Sequence, residues 1–288
     1  MKRIFKLGPI RIEHLTVDEA LRHIESILDG QDHRQVAFCN AHTASNAFFD
    51  VGFRKALSNM LVLNDGVALD IASKLATGAT FPGNLNGTDF VPKFLATSER
   101  GLRIYLLGAK PDVVERVAAQ IETLYPRHRV VGFHHGYFSA AEEADIVAEI
   151  ADHAPDVLLV AMGNPRQELF MDTHRDALNS KLAVGVGALF DFLSETVPRA
   201  PEWVRRARME WLFRLSREPR RLARRYTLGA FAFAFAIVCF QLQNASGLQW
   251  LWRKALEPRR TVYRYGVGAF TFALAIVFFH LHKAINSP

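Results

Sequence analysis

Six groups of polar and small residues each follow a short β-rich run, and they have the composition to do chemistry. They are Asn40-Ala-His42-Thr43, Asn64-Asp65-Gly66, Gly108, His134-His135-Gly136-Tyr137, Gly163-Asn164-Pro165-Arg166-Gln167-Glu168 and Gly187-Ala-Leu-Phe-Asp191. Asp65 is the clearest candidate for a reacting group. A carboxylate at a strand end beside a glycine suits a base that takes a proton from an alcohol, provided a cleft holds that alcohol near an electrophile. A surface turn, where Gly, Asn or Asp serves the backbone alone, is the plainer reading of any single group; six groups on one rim favour a binding cleft.

Missing motifs narrow the chemistry. There is no Gly-x-Gly-x-x-Gly after the first strand and no Gly-x-x-x-x-Gly-Lys-Ser/Thr loop, and Gly185-Val-Gly187 is the nearest glycine cluster. Dinucleotide and P-loop binding therefore lose their main support. Without Gly-x-Ser-x-Gly or His-Glu-x-x-His, serine hydrolysis and a compact local metal site are equally unsupported. His134 and His135 are adjacent, and neighbours on a strand point to opposite faces, so solvent-facing or hydrogen-bonding roles are expected for them rather than a shared metal.

The elements that position these groups read as strand and helix in alternation. β-rich runs occur at residues 35–39, 61–63, 103–107, 129–133, 157–162 and 182–186, with helix-period segments between them. Thr16 is an N-cap for a helix over 17–28, Pro111 opens a helix over 111–124, and Ser139-Ala-Ala-Glu142 reads as a capping box. Apolar strands alternating with helices predict an α/β fold, Rossmann-like, with a mostly parallel sheet and helices on both faces. In such sheets ligands bind beyond the carboxyl ends of the strands, where the six groups lie.

With 288 residues, 50% of them hydrophobic, the chain is long enough to bury a substantial core. Two separate cysteines, Cys39 and Cys239, argue against a disulfide framework, and charges interrupt every apolar run near the N-terminus, so a reducing, cytoplasmic setting without a signal peptide is expected. Charge divides the chain: residues 1–198 carry 19 Lys and Arg against 25 Asp and Glu, residues 199–225 ten Arg against three Glu, and residues 226–288 six Lys and Arg against one Glu. An acidic body thus bears a basic tail, which points to an anionic lipid, a phosphate-bearing substrate or nucleic acid.

Several blocks together resemble a known family. They are Leu63-Asn-Asp65-Gly-Val-Ala, Asn86-Gly87-Thr-Asp89, Met162-Gly-Asn-Pro-Arg-Gln167-Glu168, Val186-Gly187-Ala-Leu-Phe-Asp191, and a tail of Arg199-Ala-Pro-Glu-Trp203, Glu210-Trp211-Leu-Phe-Arg214 and Glu218-Pro219-Arg-Arg221. In this order, over about residues 8–226, they look like the WecG/TagA/CpsF family, carbohydrate-active glycosyltransferase family 26. The resemblance implies an inverting glycosyltransferase, with a UDP-sugar as donor and a polyprenyl-diphosphate-linked saccharide as acceptor. Such enzymes act at the cytoplasmic face of the plasma membrane in cell-envelope or exopolysaccharide synthesis, alongside other polysaccharide-assembly enzymes. It also implies Asp65 as general base, Asn40, Gln167 and Asp191 in the donor pocket, and Arg214, Arg221 and Arg224 folding over the site to offset the charge of the departing diphosphate. Gly66, Asn84, Gly108, Gly136, Tyr137, Gly163, Arg166 and Glu168 complete the expected substrate-binding set, with neither metal nor cofactor. Two positions depart from better-known members: Phe38 stands in place of a threonine and Asn84 in place of an arginine. A non-catalytic membrane-bound scaffold with a degenerate nucleotide-sugar site is the alternative those two changes raise.

The tail supports a membrane partner independently. Trp203, Met209, Trp211, Leu212, Phe213, Leu215 and Leu222 are interleaved with the arginines as in a basic interfacial helix, which favours lipid headgroups over nucleic acid. Pro219 interrupts any single continuous helix there. An internal repeat at an offset of 39 follows, with Glu218-Pro-Arg-Arg221 recurring as Glu257-Pro-Arg-Arg260 and Gly229-Ala-Phe as Gly268-Ala-Phe. Each copy carries an uncharged apolar run, at 227–242 and 265–279, near the lower edge of the ~17–25 residues that span a bilayer. A spanning hairpin would export the basic linker against the positive-inside tendency; a re-entrant arrangement, a single span and two monotopic anchors all stay open. The expected organisation is a catalytic domain at 1–198, a basic appendage at 199–226 that completes the active site at the membrane, and a helical membrane-binding tail with duplicated apolar segments at 227–288.

Overall fold

A computed structural model describes residues 4–30, 32–206, 210–217, 219 and 233–234. The chain opens with an antiparallel hairpin of β1 (Ile4–Leu7) and β2 (Ile10–Glu13). The sequence reading missed it, because four-residue strands carry too short an alternation to register as one. Helix α1 (Val17–Asp29) leads to β3 (Arg34–Cys39), α2 (Ala41–Phe49), α3 (Val51–Ser58), β4 (Leu61–Asn64), α4 (Val67–Thr77) and α5 (Gly87–Thr97). Then come β5 (Arg103–Gly108), α6 (Pro111–Leu124), β6 (Arg129–His134), α7 (Glu143–His153), β7 (Val157–Ala161), α8 (Arg166–Thr173) and β8 (Leu182–Gly185). Three short helices follow: α9 (Leu189–Leu193), α10 (Glu202–Arg206) and α11 (Glu210–Arg217).

Strands β3 to β8 form one parallel sheet in the order β4-β3-β8-β7-β5-β6, as the alternating pattern predicts. Successive strand residues feed opposite cores. Ile104 and Leu106 face a layer that contains Ile24 of α1, Phe94 of α5 and Val117 of α6, while Tyr105 and Leu107 face Ile150 of α7 and Phe170 of α8. Helices therefore cover both faces, and the strands are apolar on both sides because both are dry.

Local signals act where the sequence places them, with one exception. Thr16 and Glu19 exchange hydrogen bonds in a full capping box at α1, and Pro111 is the first residue of α6. The Ser139–Glu142 pair does not cap α7. The Glu142 carboxylate accepts from the Ser139 N–H at 2.7 Å and hydroxyl at 2.8 Å, closing a turn, and the helix starts one residue later at Glu143.

The chain leaves β5 toward one sheet edge, to β6, and leaves β7 the other way, to β8. Such a reversal opens a crevice at the carboxyl ends of the two strands. Among the described residues no helix is long and apolar enough to cross a membrane. The described residues up to Phe233 belong to one compact unit; the apolar runs at 227–242 and 265–279, apart from Phe233 and Ala234, lie outside the described residues.

Candidate active site

The parallel ladder sets the first half of the rim. Cys39 is level with Asn64, and the Asp65 N–H donates to the Cys39 carbonyl at 2.8 Å, so the next residues, Asn40 and Asp65, leave the sheet side by side. Asn40 Nδ2 donates to Asp65 Oδ2 at 3.3 Å, while Asn40 Oδ1 accepts the N–H groups of His42 and Thr43 as the N-cap of α2. One side chain thus starts a helix and steadies the half-buried carboxylate. Gly66 turns the chain with a φ of +89° and donates its N–H to Asn84 Oδ1 at 3.2 Å.

The second half joins β7 to β8. Gln167 Oε1 accepts from the Gly163 N–H at 3.2 Å and from the Gly187 N–H at 3.1 Å, binding the two strand-end turns together. Its Nε2 donates to Glu168 Oε1 at 2.9 Å, and Asn164 Nδ2 donates to Glu168 Oε2 at 3.1 Å. Asn164 in turn accepts from Asn46 of α2 at 2.8 Å, which ties the β7 turn to the helix that Asn40 caps. Burial pushes the Glu168 carboxyl up, against the pull of the amide donors. Gly66, Gly163 and Gly187 all have positive φ, and a Cβ on any of them would meet nothing within 4 Å; these turns border open space.

Beyond β7, Arg166 reaches across to the β6 turn, donating from Nη1 to the Gly136 carbonyl at 2.8 Å with its guanidinium 4.8 Å from the Phe138 ring centre. Gly108 and Gly136 are needed for close backbone approach: a Cβ on Gly108 would lie 2.4 Å from the Ala161 carbonyl oxygen, and one on Gly136 3.0 Å from Gly108 Cα. Tyr137 is 68% exposed. The two histidines correct the sequence expectation of opposite faces. β6 ends at His134, so alternation stops there, and the rings lie 4.4 Å apart with His134 Nδ1 bonded to the His135 carbonyl. Their hydrogen-bonding role stands, and among the described residues no group of three or more His, Cys, Asp or Glu side chains is gathered to hold a metal.

The expected site residues therefore fall into three linked sets along one rim: Asn40, Asp65, Gly66 and Asn84 at β3 and β4; Gly163, Gln167 and Glu168 at β7 and β8; and Gly108, Gly136, Tyr137 and Arg166 at β5 and β6. Asp191 lies half-buried in α9, just after the β8 turn. Arg214 is on α11, and Arg221 and Arg224 lie outside the described residues.

This frame agrees with what comparison of the whole sequence finds. The glycosyl transferase WecG/TagA/CpsF family matches residues 5–247. The chain belongs to that family. Among its relatives is the N-acetylglucosaminyldiphosphoundecaprenol N-acetyl-β-D-mannosaminyltransferase of Bacillus subtilis, 33% identical over 187 residues, which cover 64% of this chain and 70% of that one. The enzyme of the same name from Bacillus spizizenii is 27% identical over 215 residues, covering 74% and 82%.

The two positions that the sequence resemblance set apart, Phe38 and Asn84, have structural roles. Phe38 is buried, its ring 6.2 Å from that of Phe90, and it occupies the space a Cβ on Gly87 would need. Asn84 holds the Gly66 N–H and so shapes the turn that presents Asp65. The sequence reading left three contributors unassigned: Asn46, Asn164, and the Arg199–Asp89 ion pair that fastens the start of the basic segment to α5. His42 and Asn46, one helical turn apart on α2, were the available signal for the first; the other two pairings span 118 and 110 residues, a separation at which sequence periodicity carries no information.

Proposed function

We propose that this family member transfers an N-acetylhexosaminyl group, first among candidates N-acetylmannosaminyl, from its UDP-sugar to a polyprenyl-diphosphate-linked saccharide, first among candidates a linked N-acetylglucosamine. The names of the two Bacillus relatives support the sugars and the lipid-linked acceptor. The observation that carries the reading is Asp65: a half-buried carboxylate at a strand end, held by the Asn40 amide on an open rim. In the reaction Asp65 takes the proton of the acceptor hydroxyl, whose oxygen attacks the anomeric carbon while the bond from that carbon to the UDP oxygen breaks. Inversion follows from the single displacement. Arginines of the tail, Arg214, Arg221 and Arg224, offset the charge growing on the diphosphate.

The basic appendage at 199–226 and the duplicated segments at 227–288 keep the enzyme at the cytoplasmic face of the plasma membrane, where a lipid-linked acceptor and other assembly enzymes are found. The ten arginines and interleaved aromatic residues of the appendage support this placement. The test is a thermal-shift series on detergent-solubilised protein with UDP, several UDP-sugars, GDP-sugars and NAD, since a ligand that binds only the folded state raises its melting temperature. Stabilisation by UDP and one UDP-sugar is expected. No shift with any nucleotide would favour the scaffold reading.

A further inference from the structure

We propose that the outward face of α4 is a lipid-contacting surface that seats the mouth of the active site on an anionic bilayer. Helix α4 begins at Val67, two residues after Asp65. Val67, Ile71 and Leu75 repeat every four residues on one face of it and are 36%, 54% and 65% exposed. From Val67 to Thr80 the exposed positions carry a single charge, Lys74, and it is positive. The helix's acid, Asp70, is buried and accepts the Phe81 N–H. Other helices of the same body differ: α6 exposes Asp112, Glu115, Arg116 and Glu122, and α7 exposes Asp145, Glu149 and Asp152. A solvent-facing helix normally carries such charges; an apolar stripe with a basic residue and no exposed acid suits the boundary between anionic headgroups and acyl chains.

A second copy of the chain is the weaker occupant, because three side chains fall far short of the roughly 800 Å² each partner contributes to a stable interface. A bilayer needs no such area, since each inserted side chain adds its own transfer free energy. Because α4 starts at the candidate base, lipid contact along it brings a membrane-held acceptor to Asp65 without lifting that acceptor out of the bilayer. This consequence rests on the lipid-linked acceptor proposed above; the contact itself does not.

The direct test labels full-length Leu75→Cys, in a Cys239→Ser background, with an environment-sensitive fluorophore; Cys39 is buried and stays unlabelled. Vesicles of phosphatidylglycerol should shift the emission to the blue, and the same label at Glu115→Cys on α6 should not respond. No shift at position 75, an equal shift at both positions, or a shift without vesicles that grows with protein concentration would overturn the proposal, the last in favour of a second copy. The functional arm uses Ile71→Ser with Leu75→Ser. Turnover of a vesicle-embedded acceptor should fall roughly tenfold, the size expected from losing two partly inserted side chains, while turnover of a water-soluble short-prenyl analogue stays unchanged. Equal losses on both acceptors would contradict the proposal. If the parent protein turns over neither, the transferase reading fails while the fluorescence result still decides the contact.

Discussion

Glu168 is a carboxylate almost without exposure that accepts two amide donors, from Gln167 and Asn164. A Gln at this position would set an amide NH₂ against one of those donors, so Glu168→Gln should lower unfolding stability by about 1–3 kcal/mol, the cost of an unmet buried polar group. Urea unfolding checks this, and an unchanged midpoint would show that the network is dispensable. Cys39 lies beside the same cluster. Burial pushes its thiol up, and the charges of Asp65 and Glu168 add to the shift. Iodoacetamide at pH 8 should therefore leave Cys39 unmodified in the folded protein and modify it in urea, as read by mass spectrometry. His33 shifts the other way: burial lowers its pKa from 6.5, opposed by its bond to the Ser180 carbonyl. A base whose folded pKa is depressed stabilises the fold above its unfolded value, and that contribution is lost as pH falls through the folded value. The melting temperature should drop as pH goes below 6.5, and His33→Gln should flatten that part of the curve.

Elements set the rim because the backbone of one strand end touches the next. Gly108, with φ +138°, lies where a Cβ would be 2.4 Å from the Ala161 carbonyl oxygen. Gly108→Ala should destabilise by roughly 3 kcal/mol or more, combining backbone strain with a clash that only the sheet could relieve. A loss under about 1 kcal/mol in chemical unfolding would mean that β5 and β7 separate easily. This requirement was hidden in the sequence, where Gly108 read only as a strand-end residue that could meet a ligand. What was legible is local: six apolar runs, the Thr16 cap, the Pro111 start and the polar groups after each strand. The hairpin β1–β2 was too short to register, and His134 with His135 was misjudged because the strand ends between them. Asn46 with Asn164 depends on which strands become neighbours, which periodicity within one element does not encode.

At the scale of the whole molecule, a parallel sheet brings together strand ends that lie far apart in the chain, and the candidate rim is the sum of their turns. The family blocks follow this arrangement: the Asp65 turn, the Gln167-Glu168 helix start and the Asp191 helix all follow carboxyl ends of sheet strands. The same arrangement separates tasks along the chain, with an acidic body for the proposed chemistry and a basic tail for the proposed membrane surface. The measurement that tests the central claim most directly is sugar transfer from UDP-N-acetylmannosamine to a prenyl-diphosphate-linked N-acetylglucosamine by the full chain and by Asp65→Asn. The account predicts turnover by the parent, and a loss of at least ~10²-fold in the variant with its melting temperature unchanged. Near-normal turnover by folded Asp65→Asn would remove Asp65 from the mechanism and contradict the account.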